Sequence, residues 1–412
     1  MIFGLGGLLP TMNPAVETPV TRASLANRAA RLTTAMPAHT SERAISFDSG
    51  HACPAVLPDL TQEADRALTE YRSETLQYAP RPGLPELRAW IAEYMRGDGV
   101  PDVSADGIQI VNGAKHGLEL ICRLLLDEGD SIVVTAPTYF TAIPIFKSLG
   151  VRFIEIPQDA SGLDVEILER VLEQRRREGA PLPKFIYDVP DFHNPTGKTM
   201  PRKRREALLD AALRHGVFVV EDSPYRKVRF EGTSEPSLKA LDPGDIVLAL
   251  GTFSKLLAPG LRIGWITAAR DLLTRIMQLK SDGGSCPLTQ RLILEFAKAG
   301  HLDTHMRRVQ EIYREHRDRM IAALRRELPQ AETVIPQGGY YVWLTLPAGI
   351  NDEELATRAA QRDVIVLPGS KFFAEPDGRY ASKNHMRLAY SHASPEEIDA
   401  GVARLAEALR SM

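Results

Sequence analysis

Cysteine is scarce in this chain. Cys53, Cys122 and Cys286 are spread over 412 residues. So few and so scattered, they build neither a disulfide framework nor a zinc cluster, and they suit a reducing compartment. Long apolar runs are missing as well, and none approaches the roughly 20 residues of a membrane span. Charge of one sign is not in excess either. The formal net charge of -3 gives no general attraction to nucleic acid or to an anionic membrane. Low-complexity tracts and internal repeats do not occur. The apolar start, Met1 to Pro10, has no basic residue ahead of it. A secretory signal is therefore not expected, and a cytoplasmic location is.

What is present is an ordinary globular composition, 44% hydrophobic and 25% charged. A chain of 412 residues exceeds what one compact core usually serves, so two domains are expected. Residues 1–40 read as an N-terminal arm with a short helix over 25–32. Residues 41–97 read as the first part of a small domain and a linker, 98–300 as a large domain, and 301–412 as the rest of the small domain. Within 98–300, short apolar strand candidates at 108–111, 132–135, 151–156, 184–189, 217–220, 246–250 and 263–266 alternate with helices such as Arg202–His215. Asn112 is placed to cap a helix running through Leu126. Such runs suit strands buried on both faces of a mainly parallel sheet, an α/β layout. A long helix over 302–328, with Met306, Val309, Ile312, Tyr313, Met320 and Leu324 on one stripe, leads to further strands near 340–346, 364–367 and 386–389. A final helix follows Pro395.

The chemistry-bearing residues fall in a few segments. In the stretch from Gly251 to Trp265, Lys255 follows Ser254 and precedes Arg262, with small residues between. A lysine that forms a Schiff base needs a tight turn and a phosphate anchor nearby. Pyridoxal phosphate is held in that way between substrate visits. The plain alternative is a solvated lysine, so the reading depends on partners elsewhere. Asp222, in Glu221-Asp-Ser-Pro-Tyr225, closes an apolar run. An aspartate at the C-terminal end of a parallel strand faces the ligand crevice. Against a pyridine nitrogen it keeps that nitrogen protonated, so that the ring accepts electrons. Otherwise Asp222 caps a loop or a helix. Tyr225 is near enough in sequence to donate to the cofactor's phenolate oxygen.

Asn194 lies in Asp191-Phe-His-Asn-Pro-Thr-Gly197. The proline forces an extended residue before it and Gly197 permits a turn, which projects an amide into the same crevice. Asn112-Gly-Ala-Lys-His-Gly117 sits at a strand-to-helix junction, where backbone N–H groups bind phosphate. Lys115 either adds charge there or faces solvent. Ser254 and Arg262 supply further phosphate contacts, the guanidinium through its planar fork. Tyr139, in Pro137-Thr-Tyr, is a ring to stack on the cofactor or a core tyrosine. Arg387, in Met386-Arg-Leu-Ala-Tyr-Ser391, requires an anionic partner if buried: a substrate α-carboxylate or a structural acid.

Together and in this order, these segments resemble the class I/II aminotransferases of pyridoxal phosphate fold type I, in particular the 2-aminoadipate and kynurenine-type branch. The resemblance covers about 25–411. It implies a large domain with a mainly parallel seven-stranded sheet flanked by helices, plus a smaller α+β domain. It implies Lys255 as Schiff-base lysine and acid/base, Asp222 on the ring nitrogen, and Tyr225 and Asn194 beside the phenolate oxygen. Tyr139 stacks on the ring. Gly113, Ala114, Lys115, Ser254 and Arg262 hold the phosphate. Tyr78 reaches the phosphate of a neighbouring subunit in a homodimer, and Arg387, with Gly50 nearby, clamps the α-carboxylate of an amino-acid or 2-oxo-acid substrate. No metal is expected.

The chain departs from the branch at several positions. His193 stands where Gln is common, Ala114-Lys115 where Ser-Gln is common, and Ala389 where Asn is common, while His51 follows Gly50. Of these, His51, His193 and Ala389 keep elimination, cyclisation or oxygen-dependent oxidation of an amino acid open beside ping-pong transamination. A cofactor-sensing transcription regulator is a remote alternative, because the first 40 residues are too short for its DNA-binding domain. Arg28, Arg31, Arg81 and His51 are candidate contacts to the substrate side chain.

Overall fold

The computed structural model describes residues 44–412, together with Ala29. The helix expected over 25–32, apart from Ala29, and with it Arg28 and Arg31, lies outside the described residues.

The strands, in chain order, are β1 (Ile45–Ser46), β2 (Ile108–Val111), β3 (Ser131–Ala136), β4 (Arg152–Asp159), β5 (Gly162–Leu163), β6 (Phe185–Asp188), β7 (Phe218–Asp222), β8 (Val247–Thr252), β9 (Gly264–Thr267), β10 (Glu332–Thr333), β11 (Tyr341–Thr345), β12 (Val364–Ile365), β13 (Leu367–Pro368) and β14 (His385–Ala389). The large sheet runs in the order β2-β9-β8-β7-β6-β3-β4-β5. Strands β4, β3, β6, β7 and β8 are mutually parallel, and β9 is antiparallel to both its neighbours. The seven expected strands are all present. The two-residue β5 extends them by folding back on β4. Every residue of β3, β6 and β8 is buried, which is why these segments read as unbroken apolar runs rather than as alternation.

A second sheet, β10-β11-β14-β13, is antiparallel throughout. The helix His301–Glu327 leads into it and buries Met306, Val309, Tyr313, Met320 and Leu324 on one face. Strand β1 pairs with β12, Ile45 opposite Val364. This pairing brings the segment after residue 44 beside the C-terminal part of the chain.

One local expectation fails. Asn112 does not cap the following helix, which spans Ala114–Leu125 with Gly113 at its N-cap and no side-chain cap. The Asn112 amide donates instead to Asp282, at 2.8 Å. Gly113 adopts φ +85°, a left-handed backbone that suits glycine. A Cβ there would stand 2.9 Å from an Arg262 guanidinium nitrogen.

The segment carrying Asn194 is tied to the sheet by buried charge. Arg205 and Asp191 are each 0% exposed and pair at 2.9 Å. The Arg205 Nε donates to the Met200 carbonyl at 2.8 Å, while Arg226 also reaches Asp191, at 3.2 Å. Removing one partner of a buried pair strands the other charge. Arg226 remains to compensate Asp191, so Arg205→Ala is expected near the lower end of the usual cost, about 3 kcal/mol. Urea unfolding monitored by fluorescence checks this, and a change below about 0.5 kcal/mol would contradict it.

Candidate active site

Five sequence-distant elements converge on one cavity of about 200 Å³ at the C-terminal ends of the parallel strands. Its lining includes Ala114, Lys115, Tyr139, Asn194, Asp222, Tyr225, Ser254, Lys255 and Arg262. This is the crevice position expected of an open α/β sheet. It is also where the cofactor-site candidates of the large sheet meet, Gly113 standing just behind Arg262.

Asp222 is the last residue of β7 and is buried. Its Oδ2 accepts a hydrogen bond from the Tyr187 hydroxyl at 2.8 Å, while its Oδ1 is enclosed and has no protein partner. Burial raises its pKa to about 6, against the lowering influence of Tyr187. The group is therefore largely ionised at neutral pH. Lys255 lies just beyond β8. Its Nζ donates to the Gly50 carbonyl at 2.7 Å and stands 4.8 Å from the Tyr340 ring centroid. Burial, then the nearby Arg387 and Arg262 cations, lower its pKa to about 8. An amine so shifted has a sizeable neutral fraction near neutrality, as a nucleophile and base requires.

Asn194 is buried, with its Oδ1 accepting from Arg387 Nη1 at 3.0 Å and its Nδ2 left without a partner. Arg387, on β14, is 1% exposed. Its Nη2 donates to the Asp48 carbonyl and its Nε has no partner. The guanidinium stacks 4.0 Å from the Tyr341 ring centroid and is also flanked by Phe140 and Phe372. No carboxylate pairs with it among the described residues, so the structural-salt-bridge alternative finds no support there. Arg387 and Gly50 do not line the cavity itself. They adjoin it through Asn194 and Lys255. The Tyr225 hydroxyl is 3.2 Å from that of Tyr341.

At the other end of the cavity the helix Ala114–Leu125 presents its N-terminus, whose first N–H groups have no intrahelical acceptor. Arg262 lies beside it and donates weakly to the Asn112 and Pro259 carbonyls, each at 3.4 Å. Ser254 Oγ accepts from Thr252 at 3.0 Å. Lys115 lines the cavity but is exposed, so both of its readings survive.

These features fit pyridoxal phosphate. The cavity offers a lone carboxylate oxygen, a partnerless amide N–H and an amine in one place. It also offers a cationic helix N-terminus whose neighbouring glycine leaves space that a Cβ would fill. Each unsatisfied buried polar group would otherwise cost about 1–3 kcal/mol.

Other candidates fall outside. His51 is exposed, 5.9 Å from the ring of His392. Arg81 is exposed and Tyr78 is 84% exposed. Ala389 is buried in β14 away from the lining. His193 is buried but structural. Thr196 Oγ1 donates to Gln158 Oε1 at 3.0 Å, which leaves His193 Nδ1, at 3.1 Å, to supply the proton between them. His193 Nε2 then accepts from Gln158 Nε2 at 2.9 Å and from Thr135 at 3.0 Å. Burial, followed by Lys198, lowers its pKa to about 3. Sequence reasoning missed Tyr187, Tyr340, Tyr341 and the Asp48 carbonyl. Their only signal is the run of tyrosines at Tyr340-Tyr341, which reads as plain strand.

The description of the matching family, "Aminotransferase class I and II", covers residues 42–405. Aromatic-amino-acid aminotransferase 1 of Thermococcus litoralis is 36% identical, over 89% of this chain and 88% of that protein. The solved kynurenine aminotransferase of Pyrococcus horikoshii, in complex with pyridoxamine phosphate, superimposes with a TM-score of 0.86 at 34% identity, over 90% of this chain and 92% of that one. The α-aminoadipate aminotransferase of Thermus thermophilus, complexed with N-(5'-phosphopyridoxyl)-L-leucine, does so with a TM-score of 0.82 at 35% identity, over 90% and 93%. The sheet order, the cavity chemistry and these likenesses agree, and the chain belongs to the class I and II aminotransferases, pyridoxal 5'-phosphate enzymes of fold type I that move an amino group from an amino acid to a 2-oxo acid.

Proposed function

We propose that this enzyme takes aromatic or long-chain L-amino acids and passes their amino group to a 2-oxo acid by a ping-pong cycle, with the roles below. The observation that carries the substrate reading is Arg387, a buried cation with no acidic partner among the described residues, wrapped by Tyr341, Phe140 and Phe372. A guanidinium so placed recognises an α-carboxylate through its fork, and the rings favour an apolar side chain beside it. The names of relatives that act on aromatic amino acids and kynurenine point the same way, and that of the α-aminoadipate enzyme supports a long side chain.

The bound cofactor supplies an electron sink for the pair released when the α-proton leaves. Lys255 would hold it covalently, and the Lys255 Nζ, when free, is placed to take up the substrate α-proton and to deliver a proton in the second half of the exchange. Asp222, through its partnerless Oδ1, would hold the ring nitrogen, Asn194 and Tyr225 would hold the phenolate oxygen, and Tyr139 would cover the ring. Gly113, Ala114, Lys115, Ser254 and Arg262 hold the phosphate, while Gly50 borders the carboxylate side.

We further infer a homodimer in which Tyr78 serves the partner's phosphate site. It is 84% exposed, beside Leu76 at 63%, and does not line its own cavity. A division into 98–300 and a smaller domain from 41–97 and 301–412 is supported by the two sheets and by the β1–β12 pairing. Three free thiols favour the cytoplasm, and no described helix is long and apolar enough to cross a membrane.

Initial rates measured over a grid of amino-acid and oxo-acid concentrations should give parallel double-reciprocal lines. Intersecting lines, or steady release of ammonia without an oxo acid, would refute the cycle. The Lys255 pKa of about 8 sets a second expectation. Only the neutral amine attacks the cofactor aldehyde, so reconstitution of cofactor-free protein should speed up as pH rises and level off above about 8. A rate that falls over the same range would contradict it.

A further inference from the structure

We propose that Tyr187 is a positioning residue for the proton on the cofactor's ring nitrogen, acting through Asp222. The inference rests on the assignment of Asp222 to that nitrogen. Tyr187 sits on β6, next to β7 in the parallel sheet, paired in register with Val220. Its side chain is 0% exposed and its ring packs against Phe146 at 5.4 Å between centroids. The hydroxyl donates to Asp222 Oδ2 at 2.8 Å.

Two consequences follow. The first is geometric. A carboxylate bound at one oxygen cannot spin about its terminal bond, so Oδ1, which has no other partner, is held in one place for a single linear hydrogen bond. The second concerns the proton. Burial favours the neutral acid, and Glu221 pushes the same way, while the Tyr187 hydroxyl bond is the opposing influence. Burial also holds the phenol well above its usual range, so it stays a donor. An ionised Asp222 leaves the proton on the ring nitrogen. A neutral Asp222 would keep the proton on its own oxygen and leave the ring a weaker electron sink. The chain thus stations a neutral donor behind its acid, where a second cation would have competed with the ring for the carboxylate. A purely structural tyrosine would fill the same space without affecting where the proton resides.

The test is Tyr187→Phe, studied as holoenzyme with cofactor labelled by nitrogen-15 in the ring. The ring-nitrogen resonance should move away from the pyridinium end of its range, toward that of neutral pyridine, because loss of the Tyr187 bond raises the proton affinity of Asp222. Cofactor dissociation should rise and kcat should fall by about tenfold each, the scale of one buried acceptor left unsatisfied, with KM for the amino acid little changed. An unmoved resonance, with only thermal stability lowered, would overturn the proposal. Asp222→Ala is the reference. If it shifts the resonance and Tyr187→Phe does not, the role of Tyr187 fails while that of Asp222 stands. If Asp222→Ala shifts nothing, the Asp222 assignment itself falls and the proposal with it. Should Tyr187→Phe not fold, site-specific difluorotyrosine at position 187, a stronger donor of nearly the same size, should drive the resonance further toward pyridinium. No movement there would also overturn the proposal.

Discussion

Lys255→Ala is expected to lower turnover by about 10⁴-fold, the upper end for loss of a general acid–base, and to leave a protein without the cofactor's yellow colour. Two roles meet at this Nζ. In the proposed reading it is the attachment point of the cofactor, and among the described residues it is the only amine that the cavity lining offers besides the exposed Lys115. Its bond to the Gly50 carbonyl at 2.7 Å holds it on the carboxylate side of the cavity, where the α-proton of a substrate clamped by Arg387 would lie. Absorbance spectra of the purified variant and single-turnover kinetics with an amino acid check both roles. Added methylamine should restore part of the rate, because a small amine can occupy the vacated space and carry the proton. Retention of the yellow absorbance would mean that another lysine holds the cofactor.

Arg387→Ala should reduce kcat/KM by about 10²–10³-fold, mostly through KM, as expected when one member of a buried charged contact is removed. The guanidinium is enclosed by three aromatic rings and its Nε stands unsatisfied, so the cost of burying it is recovered only when an anion arrives. Arg387→Lys keeps the charge but loses the fork and the flat face that stacks on Tyr341. It should therefore restore little. An amine substrate lacking the carboxylate provides the control, because its low rate should not depend on residue 387. If the Ala variant treated amino acids as the parent does, the carboxylate would have to bind elsewhere. Asn194 would feel the loss too, since its Oδ1 accepts from Arg387 and the amide would be freer to turn.

Much of the site is legible in the sequence alone. Lys255, Asp222 and Asn194 each stand at or just beyond the end of a buried strand, and short apolar runs bounded by polar turn residues are visible in a linear sequence. The helix Arg202–His215 and the antiparallel β14 are equally plain, because their periodicity is local. What fails is local in a different way. Asn112 has the right side chain for a cap, but Asp282, distant in sequence, takes its amide. His193 and His51 draw attention as chemical oddities. One is locked as a neutral ring by Thr135, Gln158 and Thr196, and the other stands exposed. Neither outcome has a sequence signature, because each depends on partners that folding alone brings near.

The sequence by itself therefore determined the α/β class, the cofactor chemistry and the residue types that meet it. Those properties follow from hydrophobic period, turn chemistry and motifs whose members lie within a few residues of one another. The tertiary structure decided which oxygen of Asp222 is free, which tyrosine holds the other, and that Arg387 has no acid beside it among the described residues. It also set the half-buried Lys255 near two guanidiniums, and desolvation with those cations lowers its pKa to about 8. Hydrogen-bond pairing and desolvation depend on distances of a few ångströms between segments far apart in the chain, and those distances come into being only when the strands assemble in their crossed order.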